Sequence, residues 1–368
     1  MPARKTPATR VLVVTPRFFP DIGGIETHVY ETARRINRDG DVRVDVLTTD
    51  QHQAYPRVET VEGIQVTRVP AYPKQRDYLF APRLAGMLSA GAYDLVHCQG
   101  IHTAVPIVAM AAAWRKKIPY VLTPHTGGHS SELRHGLRST QWRALTPLVR
   151  HAERLICVAT FESEMFTRLC RPAADRVRVI QNGVDITAEP SPLPDNRVVL
   201  SVGRFERYKG HHRLIAAMPH LLQAEPSARL LLVGRGGYEA ELRRQVDDLG
   251  LGDRIGFRFI PPADRDGMVD VLRDARVVAL LSDYEAHPVA VMEAVATGRP
   301  VLVSPSSGLA ELAERGLART VARPDEPRAV AAALARQFAE PSLPRSLDLP
   351  SWDDCAAALR EVYLDVGK

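Results

Sequence analysis

The chain has 368 residues, 45% hydrophobic and 25% charged, with a formal net charge of +5, a length that suits two domains of roughly 180 residues each. These values exclude a disordered, collagen-like or disulfide-scaffold chain. The longest uncharged apolar run, 104–113, is about half of a membrane-spanning helix, and the apolar stretch 11–14 is too brief for a signal-peptide core. The cysteines Cys98, Cys157, Cys170 and Cys355 have neither zinc-ligand nor disulfide-framework spacing, so the cytoplasm is the expected location.

Short apolar runs alternate with amphipathic stretches along nearly the whole length, the pattern of a parallel sheet with crossover helices. In the first half the pattern predicts strands at 11–15, 42–48, 64–69, 95–98, 120–123, 154–158 and 177–180, and helices at 26–37, 103–116 and 141–151. The proline-dense segment 189–196 supports neither helix nor central strand and reads as a linker. The alternation restarts with strands at 198–202, 230–233, 255–259, 277–281 and 301–303, and helices at 211–223, 239–249, 289–297 and 327–338. A last helix runs from Ser351 to Tyr363, with a cap candidate at its start. The expected architecture is α/β: two doubly wound domains, 1–190 and 191–350, facing a central cleft, followed by the terminal helix, 351–368.

Four segments fall after predicted strands, where such a fold binds ligands. Gly23-Gly24 lies between the first strand and its helix, where amides can approach an anion; a plain tight turn explains it equally well. In Gly203-Arg-Phe-Glu-Arg-Tyr-Lys-Gly210, Arg204 and Lys209 form a candidate diphosphate clamp, against the alternative of a solvated basic loop. Lys209 stands out because the chain has 6 lysines against 42 arginines, and the two cations are not interchangeable.

The segment from Ser282 to Glu293 is the sharpest constellation. Glu285 follows a strand, Pro288 fits the first helical turn, and Glu293 sits among Val289, Val291, Met292, Ala294 and Val295. A carboxylate there faces either solvent or a diol such as ribose. His125, after another strand, can exchange hydrogen bonds with a sugar hydroxyl, whereas His97 and His102 read as core or rim histidines and His287 stays ambiguous. Asp264-Arg265-Asp266 could hold a cation on a nucleotide, but a helix cap accounts for it better. No Gly-x-Ser-x-Gly elbow and no P-loop occur.

In this order and spacing, these segments, with Asn182-Gly-Val-Asp185 and Ala294-Val-Ala-Thr-Gly298-Arg-Pro300, resemble the retaining GT-B glycosyltransferases of family 4 over nearly the full length. The resemblance implies that Arg204 and Lys209 hold the donor diphosphate and that Glu293 holds the ribose. It implies that Glu285 and His125 contact the transferred sugar, both as catalytic groups, and that Gly24 brings its amide to the phosphates or the acceptor. The chain departs from the family in having Glu285-Ala-His-Pro-Val289 where Glu-Gly-Phe-Gly-Leu is common. Phosphate contacts there fall to the amides of Val289 and Ala290, and His287 reshapes the sugar pocket.

The implied activity is transfer of a hexose or N-acetylhexosamine from a nucleotide diphosphate sugar, UDP being the expected nucleotide, to a hydroxyl of a small-molecule (secondary-metabolite) or glycan acceptor, without metal or other cofactor. A UDP-sugar epimerase of the same fold and a membrane-surface transferase acting on a lipid-linked glycan are the alternatives. Residues 1–190 hold 25 Lys plus Arg against 18 Asp plus Glu, and the remainder 23 against 25. The basic excess points to an acidic acceptor or membrane surface, not to nucleic acid. Arg134, Arg138, Arg143, Arg150 and Arg154, interleaved with Leu133, Leu137, Trp142, Leu145 and Leu148, read either as a peripheral membrane contact or as a packed helix with a solvated face.

Overall fold

The computed structural model describes residues 8–367, apart from 22, 74–78, 91–92, 127–143, 186–190, 262–263 and 345–348. The chain divides into two compact units, one made of the described residues up to Gly183 together with those from Pro350 onward, the other of Val184–Leu349.

The first unit holds an eight-stranded sheet of β1 (Thr9–Val14), β2 (Val42–Asp50), β3 (Val58–Val61), β4 (Ile64–Pro70), β5 (Leu95–Gln99), β6 (Tyr120–Thr123), β7 (Arg154–Cys157) and β8 (Val177–Val179). Their order is β3-β4-β2-β1-β5-β6-β7-β8, and only the β3–β4 pair is antiparallel. Val11 to Val14 and all five residues of β5 are buried, as expected of strands covered on both faces, which read as continuous apolar runs. β3 escaped the sequence reading because it is a half-exposed edge strand. Its hairpin signal is Glu62-Gly63, both with positive φ (47° and 82°), the backbone that two-residue hairpin loops require.

Helix Gly24–Asp39 follows β1, buries Val29, Ala33 and Ile36, and ends at a left-handed Gly40. Helix Trp352–Val366 packs against it. This terminal helix starts with a reciprocal capping box between Ser351 and Asp354, and Arg35 donates to Asp353 at 3.0 Å. A Cβ on Gly183 would lie 2.3 Å from the Trp352 nitrogen, so the Asn182-Gly183 segment has a packing reason to carry glycine. All four cysteines are free and buried.

The second unit holds β9 (Val198–Val202), β10 (Arg229–Val233), β11 (Ile255–Arg258), β12 (Val277–Leu280), β13 (Val301–Val303) and β14 (Arg319–Thr320). They are all parallel, in the order β11-β10-β9-β12-β13-β14. Helices His211–Ala224 and Pro327–Ala339 pack on one another over a core that includes Leu214, Met218, Leu334 and Phe338. Arg299, wholly buried, donates to carbonyls of Ser191, Pro192, Arg273 and Thr297. It fastens the strand-approaching end of the proline-rich segment, whose residues 189 and 190 lie outside the described ones.

In each sheet the order reverses beside the unit's first strand. β1 lies between β2 and β5, and β9 between β10 and β12. Doubly wound sheets bind ligands at the carboxyl ends of the strands flanking such a reversal, so the loops after β1, β5, β9 and β12 are where chemistry is sought.

Candidate functional site

After β9 the chain runs through Gly203 and Arg204 into a short 3-10 turn, Arg207–Lys209. Gly210 follows at φ 75°, where a Cβ would meet the Leu281 carbonyl oxygen at 2.0 Å. Only glycine lets this loop lie against the end of β12 and place Lys209 there. Lys209 Nζ donates to Glu285 Oε1 at 2.6 Å, and the Ser282 hydroxyl donates to the same oxygen at 2.8 Å. Burial works against the Lys209 ammonium, but the Glu285 carboxylate outweighs it and holds the pKa above the ordinary lysine value.

A second brace runs beside this pair. Tyr208 and Tyr284 stack with ring centroids 4.7 Å apart and planes 7° from parallel. Arg204 donates to the Tyr208 hydroxyl at 3.0 Å, and the Asp283 amide donates to the Tyr208 carbonyl at 2.8 Å. Both tyrosines and Ser282 lie in the segments singled out in the sequence but were given no role there. Their signal was adjacency to Lys209 and Glu285, which a reading focused on charge passes over.

The helix bearing Glu293 is Val289–Ala296, with Pro288 as its N-cap, one place earlier than the first-turn position expected of it. Val289 and Ala290 therefore supply first-turn amides, which have no partner within a helix. Glu293 is buried, and Arg265 donates to its Oε1 at 2.6 Å. Asp264 caps helix Arg265–Asp274 by accepting from Gly267 N at 2.9 Å, which agrees with the capping account of Asp264-Arg265-Asp266. His287 is buried, and the Gly308 amide donates to the Glu285 carbonyl at 2.9 Å. A hollow of about 570 Å³ adjoins the loop, lined in part by Arg207, Arg213, Ser282 and Asp283. Its Arg213 charge is already matched by Asp283 and Asp325, each at 2.6 Å.

In the first unit, Gly24 opens helix Gly24–Asp39 with Gly23 as N-cap. Glu26 folds back over this turn, its Oε2 2.3 Å from where a Gly23 Cβ would be. After β6, His125 takes a left-handed backbone, φ 51°, and its Nε2 donates to the Gln99 side-chain oxygen Oε1 at 2.6 Å. Gln99 Nε2 lies 3.2 Å from His97 Nε2. His97 is wholly buried, between the Tyr363 hydroxyl at 2.6 Å and the Thr123 hydroxyl at 2.7 Å, and is a satisfied core histidine. His102 is exposed and pairs with the His125 carbonyl at 3.3 Å. The His28 ring stands edge-on to His125 at 4.9 Å and pairs with Asn182 Oδ1 at 2.9 Å.

Burial lowers the pKa of all three clustered imidazoles: to about 4 for His28, to about 3 for His97, and well below 6.5 for His125. At neutral pH they are hydrogen-bonding groups without charge. Gln99, His28 and Tyr363 were not singled out in the sequence, since strand ends and a distant helix bring them together. Residues 127–129 of the His125 segment, and Leu133, Arg134, Leu137, Arg138, Trp142 and Arg143 of the basic stripe, lie outside the described residues. Of the rest of that stripe, Leu145 and Leu148 pack into the core, Arg150 donates to the Cys170 carbonyl at 2.6 Å, and Arg154 pairs with Asp365. No helix among the described residues is long and apolar enough to cross a membrane.

Two doubly wound units with these loops define a GT-B glycosyltransferase, and comparison with known proteins agrees. The family model Glycosyltransferase Family 4 matches residues 22–188 and Glycosyl transferases group 1 matches residues 185–348. The D-inositol 3-phosphate glycosyltransferase of Nocardiopsis dassonvillei is 31% identical over 361 residues, covering 88% of this chain and 83% of that protein. Among solved structures, the sucrose-phosphate synthase of Thermosynechococcus elongatus superposes with a TM-score of 0.79 at 23% identity, covering 97% of this chain and 99% of the other. Anabaena HepE, in complex with UDP and glucose, gives 0.69 at 22% identity, covering 98% and 97%. The chain belongs to glycosyltransferase family 4.

Proposed function

We propose that this glycosyltransferase moves a hexose or N-acetylhexosamine, with retention at the anomeric carbon, from a UDP-linked donor to an acceptor hydroxyl. The observation that carries this reading is the Lys209–Glu285 pair, 2.6 Å apart across the order reversal of the second sheet. A cation suited to a diphosphate and a carboxylate suited to sugar hydroxyls stand one hydrogen bond apart, near the N-terminus of helix Val289–Ala296. UDP is supported by the HepE complex, which holds UDP and glucose. An anionic acceptor suits the basic excess of residues 1–190 and the D-inositol 3-phosphate glycosyltransferase relative.

In this reading Arg204, Lys209 and the amides of Val289, Ala290 and Gly24 hold the diphosphate, and Glu293 accepts the ribose hydroxyls. Glu285 binds the transferred sugar as a catalytic group, His287 shapes its pocket, and neutral His125 contacts it as a hydrogen-bond partner. The bond from the anomeric carbon to the diphosphate breaks while the acceptor oxygen bonds that carbon on the same face. The acceptor proton passes to a leaving phosphate oxygen. Cations and helix amides already in place stabilise the charge that develops there, so the reading needs no metal or other cofactor.

The test is a screen of UDP- and GDP-sugars for nucleotide release, with product masses taken from acceptor mixtures. UDP released only with acceptor, and a product one sugar heavier, support the reading. Interconversion of a UDP-sugar without acceptor overturns it in favour of an epimerase.

A further inference from the structure

Helix Thr160–Cys170 carries Glu162 in its first turn, wholly buried. Its Oε1 accepts the Thr126 amide at 2.6 Å and its Oε2 accepts the Val158 amide at 2.8 Å. These amides belong to the loops that leave β6 and β7, so one carboxylate ties two neighbouring strand ends. Among the described residues no cation pairs with it. Burial accordingly drives its pKa up to about 7, opposed by the two amide bonds. A carboxylate is costly in such a place. A neutral amide side chain would cost less but has a single acceptor oxygen, so it could not keep a separate oxygen on each of the two N–H groups.

The residue before Thr126 is His125, whose left-handed backbone is one that side chains other than glycine rarely adopt. Such a conformation costs on the order of 1–3 kcal/mol and persists only where surroundings over-determine it. Turning the 125–126 peptide would pull the Thr126 N–H off Glu162. The ring is held separately, by Gln99. His125 is thus fixed at its backbone by one buried group and at its imidazole by another.

We propose that Glu162 is a positioning residue for the transfer reaction, acting through the Thr126 amide to hold His125 in the backbone conformation that presents its imidazole to the transferred sugar. The inference rests on the sugar-contact reading of His125 given above. Glu162 itself touches no substrate.

The experiment is a double-mutant cycle read in kcat and KM, with Glu162→Gln as the fold-preserving change, His125→Ala as the target change, and the two combined. We expect Glu162→Gln to lower kcat about 10- to 100-fold, the scale of a misplaced catalytic contact, with donor KM and melting temperature near wild type. On the His125→Ala background it should lower kcat less than twofold, because its route of action is already gone. Wild-type kcat in Glu162→Gln, beside an impaired His125→Ala, overturns the positioning role and leaves the His125 reading standing. Losses that multiply in the double variant also overturn it, since they signal a structural role independent of His125. Wild-type kcat in His125→Ala overturns the sugar-contact reading, and the inference with it. Should Glu162→Gln not fold, hydrogen exchange in the unsubstituted protein decides: a slowly exchanging Thr126 amide supports the clamp, and a freely exchanging one overturns it.

Discussion

Lys209 Nζ and Glu285 Oε1 are 2.6 Å apart, so the proposed diphosphate cation and sugar-binding carboxylate engage one another in the free chain. A donor must compete for both. Lys209→Ala removes a charge-assisted contact and should weaken UDP binding by about 10- to 100-fold in calorimetry, consistent with 1.5–3 kcal/mol for such bonds. Glu285→Gln should leave UDP affinity unchanged or tighter, because the ammonium is released, while turnover falls steeply. Wild-type UDP affinity in Lys209→Ala would remove it from the diphosphate site.

Glu293 is held by Arg265, which is itself partly exposed. If the carboxylate serves a ribose, Glu293→Ala should weaken UDP by roughly 10-fold, the scale of one or two hydrogen bonds, and leave pyrophosphate binding untouched. Equal weakening of both ligands would show that Glu293 does not read the nucleoside.

The depressed imidazoles make a pH prediction. In the unfolded chain His28 and His97 take up protons below about 6.5, while in the folded chain they resist until about 4 and about 3. Between pH 6.5 and 4 the unfolded state binds more protons, so their stabilisation is complete above 6.5 and is lost on acidification, by about 1.4 kcal/mol per pH unit for each fully withheld proton. Glu162 acts oppositely, since its raised pKa destabilises the fold as pH rises from 4.5 to 7, but the histidines outnumber it. Melting temperature should therefore fall from pH 6.5 to 5. The fall should shrink in His28→Gln, which removes one of the withheld protons, and an unchanged slope there would reject the assignment.

Two glycines give opposite expectations. A Cβ at Gly183 strikes backbone of residues 351 and 352, whereas one at Gly24 meets nothing within 4 Å. Gly183→Ala should cost about 1–3 kcal/mol, the range for overpacking a tight site, seen in denaturant unfolding. Gly24→Ala should leave stability near wild type yet weaken UDP binding if the amide there approaches phosphate closely. Equal stability losses would contradict the close approach of the 183 and 352 backbones.

Much of the architecture was legible because buried parallel strands are nearly continuous apolar runs. β6, β9 and β13 fall on their expected bounds. Edge strands β3 and β14 were not legible, being short and half-exposed, nor was helix Thr160–Cys170, whose apolar stripe is weak. The motif residues Lys209 and Glu285 announced themselves by charge beside strand ends, and their pairing follows from the β9–β12 adjacency. The partners that fix the candidate groups were hidden for a different reason. Glu162 lies 36 positions from Thr126 and Tyr363 lies 266 from His97, and no local pattern encodes a hydrogen bond over such separations.

The terminal helix has a consequence for biosynthesis. The unit that needs Trp352 and Tyr363 for its core begins at the front of the chain, while Val184–Leu349 is contiguous. At about 5–20 residues per second, the ribosome takes roughly 10–30 s to make that intervening stretch. During that interval helix Gly24–Asp39 waits with its packing face uncovered, and the later-made unit is the one able to fold on emergence. A nascent chain stalled before residue 350 should therefore expose the earlier unit to chaperones and proteases while the later one is already resistant, an inversion of the usual front-to-back order.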